Sequence, residues 1–109
     1  MASYTFIDNL SQRLPDIPAD SIISQALYSE DDVRVVLFKF AAGQELTQHT
    51  ASQPALLHIL SGTARLTLGG DEMQAGPGTW AHMDANLAHS VYAETPVEML
   101  LVLIRCAGA

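Results

Sequence analysis

From residue 33 to residue 104, apolar runs of five to eight residues alternate with short clusters of turn-forming residues, and none is long enough for a stable isolated helix. The runs are VRVVLFKF (33–40), ALLHIL (55–60), ARLTL (64–68), TWAHM (79–83), HSVYA (89–93) and VEMLLVLI (97–104). AAGQ, SGT, GGDE, AGPG, DAN and ETP supply the breaks. Runs of this length, rich in β-branched or long apolar residues and sharply ended, predict strands. In LTLGGDEM, Gly69 and Gly70 are expected to take the two positive-φ positions of a tight hairpin turn, making the flanking strands antiparallel neighbours. SIISQALYS (21–29), the turn cluster EDD and VRVVLFKF predict another antiparallel pair. Short strands with no long helical pattern among them imply an all-β sandwich or barrel.

Residues 1–20 are predicted as an N-terminal arm or a short helix, because Phe6, Ile7, Leu10 and Leu14 have a weak helical spacing before Pro15. No repeat or low-complexity linker divides the chain, so its 109 residues are expected to form one domain. With 12 acidic against 5 basic residues the net charge is -7, which repels phosphate backbones and anionic membranes. Arg13, Arg34, Lys39, Arg65 and Arg105 stand singly. Neither nucleic acid nor membrane is an expected partner. The lone Cys106 has no intramolecular disulfide partner and reads as a bystander thiol. The N-terminus lacks the basic start and long apolar stretch of a signal peptide, and a cytoplasmic location is expected.

Strand alternation states which residues share a face. Ala55, Leu57 and Ile59 fall on one side of their run, and Leu56, His58 and Leu60 on the other. Ala81 and Met83 lie opposite Trp80 and His82.

Gly43, His49, Ala51, Ala55 and Gly62 keep the intervals of the first motif of the cupin superfamily, and Gly78, Asp84, Asn86, His89 and Ala93 those of the second. The chain therefore resembles a small single-domain cupin of the conserved-barrel type, with motif one at 43–62 and motif two at 78–93. Asp84 and Asn86 replace a proline and a glycine, mild changes because Asp forms turns and Asn tolerates a left-handed backbone. The resemblance implies an antiparallel double-sheet jelly-roll barrel, usually dimeric, holding a divalent metal such as Fe, Mn, Ni or Zn. His49 and His89 match metal ligands of the family, whereas Ala51 and Ala55 stand where a histidine and a glutamate would be. Half of the implied ligand set is missing, and a transition metal normally needs at least three protein donors.

For His49 and His89 three readings stay open: a metal pair, a metal-free couple that binds or protonates a ligand, and two barrel-mouth residues without a role. His58 and His82 are the weaker metal candidates, since the family register points them outward. There they form, with Leu56, Leu60 and Trp80, an apolar outer face that suits a homodimer interface. The expected pocket is lined by the His49–His89 pair and by Leu57, Ile59, Met83 and Val91, a lining fit for a small organic ligand. The expected function is accordingly small-molecule binding, with or without a metal. A metal-dependent oxygenase, isomerase or lyase is the alternative, and no catalytic residue is assigned.

Overall fold

The structure, a computed structural model, describes residues 3–105; Cys106 lies outside them. Nine strands follow a single 3-10 turn at Leu10–Arg13: β1 (Ile22–Ser29), β2 (Val33–Phe40), β3 (Glu45–His49), β4 (Ala55–Ser61), β5 (Ala64–Leu68), β6 (Asp71–Ala75), β7 (Trp80–Met83), β8 (His89–Ala93) and β9 (Val97–Ile104). They form a five-stranded sheet in the order β1-β2-β9-β4-β7 and a four-stranded sheet in the order β3-β8-β5-β6, every pair antiparallel. No ladder joins the two sheets among the described residues, so the jelly-roll barrel stays open along its edges.

Each apolar run of the sequence is a strand, and the predicted β1–β2 pair and Gly-Gly hairpin are both present. The hairpin differs in one detail. Leu68 pairs with Asp71 as expected, but only Gly69 has a positive φ, +62°, whereas Gly70 does not. A two-residue turn with glycine needed only at its first central position satisfies the strand twist equally well. β3 has no counterpart among the apolar runs, because its residues ELTQH are mostly polar and exposed; it is held by pairing with β8.

The core fills the space between the sheets. Leu57 and Ile59 of β4, Leu66 of β5, Val91 of β8 and Val97 and Met99 of β9 are almost completely buried, in one cluster with Phe40 and Met83. Burial of each such side chain contributes about 1.5–3 kcal/mol. β4 alternates as its sequence predicts, with Ala55, Leu57 and Ile59 inward.

The N-terminal segment is an arm with one 3-10 turn, capped by the Asn9 side chain, which accepts from the Ser11 N–H. It lies across the outer face of the five-stranded sheet. Lys39, on that outer face, is only 6% exposed and donates from Nζ to the carbonyls of Ser11 at 2.7 Å and Leu14 at 3.0 Å. A buried ammonium needs such partners, so this lysine is a clip and not a surface charge. Leu37 points the same way and is fully buried, and Ile7 and Leu10 of the arm line one cleft with Val33 and Val35 of β2 and another with Leu60 and Glu98.

Gly62, the last glycine of motif one, has φ +85°, and a Cβ built there would lie 2.0 Å from the Pro96 carbonyl oxygen. That contact brings the β4–β5 turn against the β8–β9 turn, where the Thr63 N–H donates to Thr95 Oγ1 at 2.9 Å. Gly62→Ala is therefore expected to cost about 2 kcal/mol or more, read by urea unfolding, through backbone strain and displacement of the turn. Lys39→Met should remove about 2 kcal/mol by leaving two carbonyls without their charged donor, and trypsin should cut faster after the exposed Arg13.

Candidate functional site

β3 pairs with β8 through an irregular register. Leu46 lies opposite Val91, yet the next aligned pair is His49 with His89, so β3 spends three residues where β8 spends two. Regular pairing would have placed Gln48 opposite His89. The extra residue is a bulge, which re-aims the side chains beyond it. It delivers His49 to the side of β8 that carries His89, Val91 and Ala93, the buried side.

The two rings meet edge to face, with centroids 4.1 Å apart and planes at 62°. His89 is 6% exposed and His49 is half-buried. Each ring is fixed in the same way. His49 Nδ1 donates to the Thr47 carbonyl at 2.8 Å, and His89 Nδ1 donates to the Leu87 carbonyl at 2.8 Å. A carbonyl oxygen only accepts, so both Nδ1 atoms carry hydrogen, and in the neutral rings both Nε2 atoms carry the free lone pair. The pair stands at the barrel end bounded by the 50–54 loop, the Gly69–Gly70 turn and the 84–88 turn. These are tied together: Asn86 N–H donates to the Ala51 carbonyl and Gly69 N–H to the Ala88 carbonyl, each at 2.7 Å. Asn86 has φ +68°, the left-handed backbone for which asparagine is the tolerated substitute for glycine.

Residues 36–104 match the model of the cupin domain, more than half of the chain. The chain belongs to the cupin family. A conserved protein of unknown function from Streptococcus pyogenes is 27% identical, with a TM-score of 0.84 over 98% of this chain and 93% of that one. A cupin 2 conserved barrel domain protein from Leptotrichia buccalis is 28% identical, with a TM-score of 0.82 over 89% of this chain and 47% of that one. The DMSP lyase DddQ from Ruegeria pomeroyi, at 18% identity and a TM-score of 0.74 over 83% of this chain and 50% of that one, shares the fold. No curated protein matches the sequence.

In this cupin the remaining motif positions carry no donor. Ala55 is 2% exposed and in register with Met83 on one side and Leu103 on the other, so aliphatic packing fills the site where the resemblance implies a glutamate. Among the described residues no group of three or more His, Cys, Asp or Glu is arranged to hold a metal ion. His58 and His82 are on the outer face of the five-stranded sheet, as their parity requires. They are diagonal neighbours: His58 lies opposite Trp80, and His82 opposite Leu56. Asp84 Oδ1 is 3.9 Å from His82 Nδ1 in solvent.

Leu57, Ile59, Met83 and Val91 are 1%, 0%, 2% and 1% exposed and belong to the continuous core. The structure thus gives these four a packing role directly, and brings only His49 and His89 together as a polar pair. The Thr47 and Leu87 carbonyls were invisible to sequence reasoning, because a carbonyl has no sequence signature. In ¹⁵N-histidine spectra above neutral pH, His49 and His89 are expected as the Nδ1–H form, the minority form of free imidazole; both rings showing protonated Nε2 alone would contradict this geometry.

Proposed function

We propose that this cupin binds a small organic ligand at the barrel end carrying His49 and His89, through the Nε2 atoms of the two rings. The carrying observation is the pair of matching Nδ1–H···O=C bonds, which leaves two oriented Nε2 atoms with no other partner in the hydrogen-bond network of the described residues. Fixed in this way, each ring offers Nε2 as an acceptor when neutral and as a donor when protonated. Two such groups side by side at the end of an apolar core suit a ligand with a polar head, such as a carboxyl or hydroxyl group, on a small carbon frame.

A divalent metal is the family's usual occupant of this position, and the fit is partial. The Nδ1 bonds to backbone carbonyls are the outer-shell pattern that orients metal-ligating histidines. The donor count falls short, since two imidazoles are one donor below the least that normally retains Fe, Mn, Ni or Zn, and the Ala51 and Ala55 side chains have nothing to coordinate with. The residues present do not complete a resident metal site. The alternative activity, a metal-dependent oxygenase, isomerase or lyase, would need a further donor from outside this set.

Two measurements test the reading. Chain purified without a histidine tag, loaded with Zn²⁺, Ni²⁺, Mn²⁺ or Fe²⁺ and desalted, is expected to retain well under one equivalent. A panel of small carboxylates and hydroxy acids is expected to shift the His49 and His89 ring signals, and His49→Ala or His89→Ala should weaken the active members by at least about tenfold. One retained equivalent of metal, lost in both alanine variants, would establish the metal reading instead. A panel that moves neither ring would count against the ligand site.

A further inference from the structure

Four short turns at one end of the barrel fix which strands of the two sheets lie over one another. Residues 41–44 join β2 to β3, 94–96 join β8 to β9, 62–63 join β4 to β5 and 76–79 join β6 to β7. The stacked pairs are therefore β2/β3, β9/β8, β4/β5 and β7/β6, in the order that both ladders show. His49 and His89 stand at the opposite end.

At that end each sheet contributes one inner row. On the smaller sheet the register aligns His49, His89, Leu68 and Asp71. On the larger sheet it aligns Ser29, Arg34, Leu103, Ala55 and Met83. Residues directly opposite in a ladder share a face, and Ala55 and Met83 are buried in the core, so Arg34 is on the inner face as well. The alternation of β2 agrees, since Phe38 and Phe40, at the same parity, pack against that core. The inner rows behind Arg34 contain no charged residue. By the stacking order Arg34 on β2 stands over His49 on β3, across sheets that pack about 10 Å apart.

The other cations on strands are already engaged. Lys39 donates to two carbonyls of the arm, and Arg65, on the outer face of the smaller sheet, lies 5.2 Å from the Tyr92 ring centroid with Glu94 at 3.6 Å and Glu72 at 3.9 Å. Arg34 is exposed and has no ion-pair partner among the described residues, although Glu30, Asp31 and Asp32 form the turn just before its strand. Asp71, the acidic member of the facing row, is three strands from His49, about 14 Å at the usual strand spacing.

We propose that Arg34 determines the ligand class at the barrel end, selecting a small hydroxycarboxylate whose carboxylate meets the guanidinium while its hydroxyl meets an imidazole Nε2. This rests on the reading of the His49–His89 pair as a ligand site. The two kinds of group ask for different partners. A guanidinium only donates and matches the two oxygens of a carboxylate. A neutral Nε2 with its lone pair free accepts, so it repels a carboxylate oxygen and takes the hydroxyl proton instead. A molecule with both groups on a short carbon frame satisfies both rows at once. The charge of the row supports this assignment. Where the family resemblance implies a glutamate the row holds Ala55, and two strands away it holds Arg34, so its charge is positive, which favours an anion and opposes a divalent cation.

A matched series tests the proposal on the full chain: 2-hydroxybutyrate, its uncharged amide 2-hydroxybutyramide, and butyrate, which lacks the hydroxyl. Affinities are read from the His49 and His89 ring signals, and contact with the guanidinium from the Arg34 Nε–H signal, assigned by its loss in Arg34→Gln. 2-Hydroxybutyrate is expected to bind at least about tenfold more tightly than either the amide or butyrate, the effect of one charge-assisted or one ordinary polar contact. Arg34→Gln should bring acid and amide to within about twofold of each other with the amide's affinity unchanged, and Arg34→Lys should keep part of the preference. Because Arg34 is exposed, far-UV circular dichroism should not change in either variant. Ring signals that respond equally to acid and amide, or a preference for the acid that survives Arg34→Gln, would overturn the role of Arg34 and leave the imidazole ligand site standing. An Arg34 signal that moves while both rings stay fixed would overturn the pairing of the two rows. Rings and Arg34 all unmoved by the three compounds would remove the ligand site and this inference together.

Discussion

Everything in this molecule depends on burying one side of each strand against the opposite sheet. The inward rows of β4 and β9 meet those of β5 and β8, and the residues that fill the gap are medium-sized aliphatic side chains with Phe40 and two methionines. Among the described residues the two sheets share no ladder, so this packing, with the turns that join the sheets, sets their separation. It also sets the position of everything mounted on the barrel end, including the paired imidazoles. Tight turns complete the arrangement, and at Gly62 the chains approach too closely for any side chain.

On that frame a single extra residue in β3 makes the site. Parity is strict in a regular ladder, so a side chain changes faces only where the register slips. The slip between Leu46 and His49 sets one histidine opposite the other instead of Gln48, and two backbone carbonyls then fix both rings with Nε2 free. The result keeps half of the donor set that a cupin metal centre would use and replaces the rest by alanine and close packing. A frame that retains ring orientation without a full coordination shell is consistent with ligand recognition, and it shows why belonging to a fold family leaves the chemistry to be argued from the site.

The asymmetry of the outer surfaces has the same origin. Strands β2 and β9 sit centrally in the larger sheet and are apolar on both faces, whereas β3, β5, β6 and β8 turn polar residues outward. The arm covers part of the apolar side, and Lys39 ties it down by filling two carbonyls at the end of the 3-10 turn. That use of a lysine was not legible in the sequence, where Lys39 looked like one more scattered surface charge. β3 was missed for the complementary reason, since a polar edge strand carries no alternation to read.

By itself the sequence determined the strands with apolar faces, the antiparallel hairpins, the inward and outward parity of β4 and β7, and the spacing of two cupin motifs. These follow from local rules, the two-residue period of a strand and the turn chemistry of glycine and asparagine. Tertiary structure alone decided that a bulge in β3 turns His49 edge to face with the His89 it was expected to meet, that their Nδ1 atoms are bound to carbonyls, that the expected pocket residues Leu57, Ile59, Met83 and Val91 are tightly packed, and that Lys39 holds the arm. Each of these depends on a bulge, a backbone carbonyl or a contact between distant segments, and none of those leaves a periodic trace in the order of residues.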